Sequence, residues 1–159
     1  MKQIYENIFI GDDNDCMKYA RNHEIAIIHA CKTCHKKELG YHGSLSAEHP
    51  HYLVYEKENH LFLNMVDAPV EFLPKFANPM FKEAMNFITA KKILIHCNQG
   101  LSRSPSIGML YLATKNIIPD GDYESAANAF IAIYPDFSPG NGIKQYMKNN
   151  WDYLIRLNS

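Results

Sequence analysis

Lys92-Ile93-Leu94-Ile95-His96-Cys97-Asn98-Gln99-Gly100-Leu101-Ser102-Arg103-Ser104-Pro105 decides how the rest of the chain is read. The apolar run Ile93 to Ile95 has the length and branching of a buried strand, and it ends at His96-Cys97. Small and polar residues follow, and a helical pattern starts at Arg103-Ser104. In a strand, tight loop and helix of this kind, the loop amides and the helix N-terminus point into one small space that suits an anion. Gly100 lets the loop turn without a Cβ penalty. Arg103 adds a permanently charged planar fork that matches two phosphate oxygens. A thiol at the edge of such a cradle, as Cys97 is, is favoured as the thiolate. The stretch can therefore bind a phosphate over a nucleophilic sulfur.

His96-Cys97, the five residues Asn98 to Ser102, then Arg103-Ser104 resembles the signature of the cysteine-based protein phosphatases. The spacing of Gly100 and Ser102 is most similar to the dual-specificity group within the tyrosine phosphatase superfamily. The resemblance spans about residues 4 to 155. It implies a tyrosine-phosphatase-like α/β fold with a central, mostly parallel mixed sheet of about five strands flanked by helices. It implies catalytic roles for Cys97, Arg103, Asp67, Ser104 and His96, and phosphate binding by Asn98, Gln99, Gly100, Leu101, Ser102 and Arg103. In the family the general acid is an Asp on a loop upstream of the signature. Asp67 corresponds in order, in its thirty-residue separation from Cys97 and in the proline two residues on, Pro69. Glu71 and Asp15 are the poorer alternatives. Ser104 is expected to donate to the departing thiolate, and His96 to order the loop and tune Cys97 rather than act as a base.

The expected activity is metal-independent hydrolysis of phosphate monoesters on phosphoproteins through a phosphocysteine, with no cofactor and no metal. Phosphotyrosine is the expected substrate group, with phosphoserine and phosphothreonine further candidates. Phosphoinositide phosphatases similar to this group tend to carry lysines inside the loop; residues 98 to 102 contain none, which favours a phosphoprotein. Loop position excludes the low-molecular-weight tyrosine phosphatases, whose Cys-Arg loop lies near the N-terminus.

Composition narrows the classes further. The 159 residues, 47% hydrophobic and 21% charged, fit one globular domain, residues 1–159. A formal net charge of -1 gives no general attraction to nucleic acid or anionic lipid. There is no apolar run of membrane-spanning length, and Met1 to Asn7 lacks the apolar core of a signal peptide. The four cysteines are not spaced as a small disulfide framework. A reducing cytoplasm is the expected location, and a catalytic thiolate requires one.

Elsewhere the pattern predicts a strand over Ile4 to Ile10 and a helix from the Asp12 to Asp15 caps to about Asn22-His23. A buried strand is expected over Ile25 to Ala30, then a polar loop at Cys31 to His35 that continues irregularly to Pro50. Strands are expected at Tyr52 to Tyr55 and Leu61 to Met65. Helices are expected at about Leu73 to Ala90, from the signature loop to Lys115, over Tyr123 to Tyr134 and over Ile143 to Leu157. A Pro-Asn turn often precedes the last helix in the family; here Gly140 stands between Pro139 and Asn141, which leaves open whether Asn141 braces the active-site loop.

Other readings stay open at this point. Loss of turnover with retained binding would make a phosphopeptide-binding pseudophosphatase, and a non-protein substrate such as a phosphoinositide or an RNA 5′-phosphate is a further alternative. Cys31-Lys32-Thr33-Cys34-His35 has the c-type haem attachment spacing, and its cysteines with nearby His29, His42, His49 and His51 could begin a zinc site. Haem attachment needs export, and one tight Cys pair with scattered histidines is a weak zinc pattern. One of these thiols could also form a disulfide with Cys97.

Overall fold

The computed structural model describes residues 1–89 and 91–157. Six short strands form one sheet: β1 (Lys2–Tyr5), β2 (Ile8–Gly11), β3 (Ala26–His29), β4 (Val54–Lys57), β5 (His60–Leu63) and β6 (Ile93–His96). Their order is β1-β2-β6-β3-β5-β4. The four central strands run parallel, while β1 and β4 are antiparallel edges. The apolar runs of β3 and β6 are fully buried, as strands covered on both faces must be. Glu56 and Lys57 on β4 leave one edge charged, which discourages further strand pairing.

The helices divide between the two faces. α1 (Asp13–Tyr19) and α2 (Lys32–Leu39) cover the side of Ile25, Ile27 and Leu94. The larger core lies on the other side, where Ile8, Ile10, Ile28, Leu61, Ile93 and Ile95 meet α3 (Pro74–Phe87), α4 (Arg103–Thr114), α5 (Tyr123–Ile133), α6 (Asn141–Asn149) and α7 (Trp151–Ile155). Period-two alternation along β6 sends Ile93 and Ile95 to one face and Leu94 and His96 to the other. α4 is buried almost all round, because it is enclosed between the sheet and its neighbouring helices. Among the described residues no helix is long and apolar enough to cross a membrane.

Several expectations are corrected. The mostly parallel mixed sheet is as expected, with six strands among the described residues; within it, Ile4 to Ile10 is a hairpin and not one strand. Asn7, at a φ of 61°, makes its turn, a conformation Asn tolerates better than most residues. The first helix stops at Tyr19, short of Asn22-His23. Cys31 to His35 is not a loop: Cys31 caps α2, which ends at Gly40 in the left-handed region. This helix has no apolar stripe to reveal it, since its buried anchor is His35, bonded to the Tyr41 hydroxyl and the His51 carbonyl at 2.8 Å each. The helix starting at Pro74 ends at Phe87, and the expected end at Ala90 lies outside the described residues. The last helix is two, divided at Asn150, whose side chain donates to the Tyr146 carbonyl at 2.8 Å.

Phe81 on α3 is fully buried and stacks on Tyr146 of α6, with ring centroids 5.4 Å apart. Phe81→Ala should cost about 3–5 kcal/mol through lost transfer energy and the cavity left behind. Urea unfolding monitored by circular dichroism checks this; a loss below about 1 kcal/mol would mean the α3–α6 contact adapts to the gap.

Candidate active site

Parallel pairing brings the carboxyl ends of β2, β6, β3 and β5 to one edge of the sheet, the usual position of ligand sites in open α/β folds. β6 lies between β2 and β3, so the segment after it emerges in the middle of that edge. Gly11, at the end of β2, accepts from the Cys97 amide at 3.4 Å, and the Ala30 amide after β3 donates to the His96 carbonyl at 2.9 Å.

Residues 98 to 102 close over this edge and lead into α4. Gly100 has a φ of +71°, and a Cβ there would press on the Gly11 carbonyl oxygen at 2.9 Å. The loop is anchored through its carbonyls. Asp13 N–H donates to Asn98 O at 3.3 Å, the Tyr134 hydroxyl to Gly100 O at 2.7 Å, and Ser138 N–H to Leu101 O at 2.8 Å. Burial pushes Tyr134 up to about 12, which keeps its hydroxyl protonated and available as a donor. Among the described residues, none of the amides of Asn98 to Arg103 donates to a protein acceptor. Carbonyls tied outward and amides left open make an anion cradle.

Cys97 is 2% exposed at the base of the loop. Its Sγ lies 3.2 Å from Ser104 Oγ, which is also 3.4 Å from the Gly11 carbonyl. Arg103, 8% exposed, donates one terminal nitrogen to the Met65 carbonyl at 2.9 Å and the other to Asn98 Oδ1 at 2.7 Å. Its buried Nε has no protein acceptor among the described residues. Asn98 is fixed in turn by donation to Asp13 Oδ2 at 3.0 Å and Thr33 Oγ1 at 3.1 Å.

Asp67 is exposed on the loop after β5, and Ser102 Oγ donates to its Oδ1 at 3.1 Å. Gly140 N–H donates to the same Ser102 oxygen at 2.8 Å. The start of α6 clasps the Asp67 loop: Asn141 Nδ2 donates to Pro69 O at 2.8 Å, Gly142 N–H to Ala68 O at 3.0 Å, and Phe72 N–H to Gly142 O at 3.2 Å. Asn141 therefore braces the Asp67 loop, and among the described residues its side chain makes no hydrogen bond to the signature loop, residues 98 to 103. Of the alternative acids, Glu71 accepts from Asn149 at 2.7 Å. Asp15 belongs to the α1 capping box. Although burial alone would raise Asp15, hydrogen bonds from the chain's terminal ammonium and the Asp12 amide hold it below the usual carboxylate range. It is ionised where an acid must be protonated.

His96 points to the face of the sheet opposite the Cys97 side. Its Nε2 is 2.8 Å from His29 Nδ1, and its Nδ1 is 3.6 Å from Asp13 Oδ1. Asp13 also holds Asn98, but its carboxylate stops short of hydrogen-bond distance from His96 Nδ1, which has no hydrogen-bond partner among the described residues. His35 is committed to Tyr41 and His51, so the trio Cys31, Cys34 and His35 does not assemble as a haem or metal site. Sequence reasoning missed Tyr134, Asp13 and the Gly140-Gly142 clasp. Their positions carry only ordinary cap, turn and helix-end signals.

No family model matches the chain, and no curated protein is significantly similar to it in sequence. Solved structures are similar in fold. DUSP15 is 21% identical with a TM-score of 0.65, over 98% of this chain and 92% of that one. A human tyrosine phosphatase-like serine/threonine/tyrosine-interacting protein is 21% identical with a TM-score of 0.60, over 97% of each chain. Human DUSP28 is 16% identical with a TM-score of 0.61, over 96% of this chain and 93% of that one. The chain has the α/β fold of these phosphatases throughout.

Gly142 supplies the close approach that the Asp67 loop needs, since a Cβ there would enter the Ala68 and Val70 carbonyl oxygens. Gly142→Ala should destabilise the protein by roughly 1–3 kcal/mol, as overpacking does. It should also raise hydrogen exchange at the Phe72 and residue-142 amides. Unchanged exchange at both would show that the clasp does not hold this loop.

Proposed function

We propose that this chain is a cysteine phosphatase acting on phosphoproteins through a phosphocysteine intermediate. The observation that supports the reading is that one short loop beginning at the buried Cys97 leaves the amides of Asn98 to Arg103 and the Arg103 Nε without protein acceptors among the described residues. Those donors match the equatorial oxygens of a phosphoryl group, where transition-state charge resides.

In the proposed reaction Cys97 thiolate attacks phosphorus in line as the P–O bond to the leaving group breaks. Arg103 and the loop amides hold the three remaining oxygens. Asp67 gives its proton to the leaving oxygen. In the second step Asp67 takes a proton from water, whose oxygen attacks phosphorus and expels the thiolate as phosphate leaves. Ser104, 3.2 Å from Cys97 Sγ, is placed to donate to that thiolate. Ser102 orients Asp67 and links it to the loop.

A phosphoprotein is favoured over a polyanionic headgroup by two features. Residues 98 to 102 carry no lysine. The rim presents exposed apolar side chains, Val66, Val70, Leu73 and Leu101, which suit a peptide better than a sugar phosphate.

Cys97→Ser should abolish turnover while phosphate binding and the fold persist, because an alcohol does not supply the thiolate. Phosphopeptide assays and binding measured on the same preparations check this. Binding without turnover by the wild type would instead support a phosphopeptide-binding role. Asp67→Asn should slow hydrolysis of phosphoserine or phosphotyrosine peptides by roughly 10²–10⁴-fold, the range for general acid catalysis. The loss should shrink for an activated aryl phosphate, whose leaving group needs little protonation. Equal losses on both substrates would reduce Asp67 to a loop-positioning role.

A further inference from the structure

Behind the phosphate loop, on the face of the sheet away from Cys97, Cys16 Sγ, His29 Nδ1, Cys34 Sγ and His96 Nε2 all lie within 4.8 Å of one another. They come from α1, β3, α2 and β6, so no local spacing in the sequence gathers them. Cys16 Sγ is 3.6 Å from His29 Nδ1, Cys34 Sγ is 3.8 Å from His96 Nε2, and the two imidazole nitrogens are 2.8 Å apart. A tetrahedral zinc ion with bonds of about 2.3 Å to sulfur and about 2.0–2.1 Å to nitrogen holds its ligand atoms roughly 3.3–3.8 Å apart. Small side-chain shifts bring these four atoms to that geometry.

The imidazoles can present lone pairs to the centre of this cluster. His29 Nε2 faces His60 Nδ1 at 2.8 Å, and with its hydrogen directed to His60 the His29 ring turns a lone pair on Nδ1 inward. His96 Nδ1 is buried without a hydrogen-bond partner among the described residues, so a hydrogen there leaves Nε2 as the inward acceptor. A cation between these two nitrogens, 2.8 Å apart, satisfies both lone pairs. A divalent ion also bound by two thiolates leaves the cluster neutral.

We propose that Cys16, His29, Cys34 and His96 form a Cys2His2 site for a zinc ion. His60, 2.8 Å from His29 Nε2, orients that imidazole from outside, the arrangement usual around zinc-bound histidine, and the Asp13 carboxylate lies 3.6 Å from His96 Nδ1. A cavity of about 300 Å³ lined by Cys16, Cys34, His29 and His60 gives the ion a way in. The ion's role is structural. It fastens both helices of this face to β3 and to the end of β6, one residue before Cys97. The proposal does not depend on the phosphatase reading.

The test uses the full chain expressed in a reducing cytoplasm with zinc supplied. Metal analysis should find about one zinc per molecule. Replacement of the zinc by Co²⁺ should give visible d–d bands of tetrahedral intensity and near-ultraviolet thiolate charge-transfer bands. Cys16→Ser and Cys34→Ser should each roughly halve the charge-transfer intensity, because each removes one of two thiolates. Cys31→Ser should leave it unchanged. In the wild type, chelation should expose Cys16 and Cys34 to alkylation, a readout that needs no variant to fold. A chain that binds no zinc, lacks the cobalt bands or carries a Cys16–Cys34 disulfide would overturn the proposal. So would loss of the bands in Cys31→Ser, or their survival in Cys34→Ser.

Discussion

A row of backbone amides kept from pairing is the constraint on which the site depends. Buried N–H groups are almost always satisfied, so a loop that leaves those of Asn98 to Arg103 open must be held from elsewhere. It is held by its carbonyls, which accept from Asp13, Tyr134 and Ser138, and by Arg103, whose terminal nitrogens reach Asn98 and Met65. Asp13 and Met65 stand at the carboxyl edge of the sheet, while Tyr134 and Ser138 come from the segment after α5. The parallel pairing of β6 with β2 and β3 places the loop at the centre of that edge, where β2, β3 and β5 can all supply contacts.

Two further layers steady the loop from opposite sides. On the α4 side, Ser102 joins Asp67 to the start of α6, and Asn141 and Gly142 clasp the backbone that carries Asp67. On the other face, Asp13 holds Asn98, and His96 begins a chain of imidazoles through His29 and His60. The proposed zinc ion would turn that second layer from a set of weak polar contacts into a fixed joint. Cys97 sits between the layers, 2% exposed, with Ser104 beside it.

How much of this was legible in the sequence follows from how local each signal is. The strand, loop and helix from Ile93 to Thr114 are contiguous, and their order alone announced the tight loop between β6 and α4. Asp67 was legible through its spacing and Pro69, and it does lie beside the loop. α2 was not legible, because its buried anchor is the polar His35 rather than an apolar stripe. The β1–β2 hairpin hid in an apolar pattern that continued through Asn7. The helix break falls at Asn150, whose side chain shares the Tyr146 carbonyl with its own N–H, a local bond that periodicity does not register. The Cys16, His29, Cys34 and His96 cluster is the extreme case, since four separate elements must fold before its members meet.

The central claim is that Cys97 carries the phosphoryl group between substrate and water. Rapid-quench intact-mass analysis with an activated aryl phosphate, followed by peptide mapping, tests it most directly. The account predicts a transient species heavier by one phosphoryl group, with the modification on the peptide containing Cys97 and absent from Cys97→Ser. Turnover with the phosphoryl group on a histidine or serine instead, or undiminished turnover by Cys97→Ser, would contradict it.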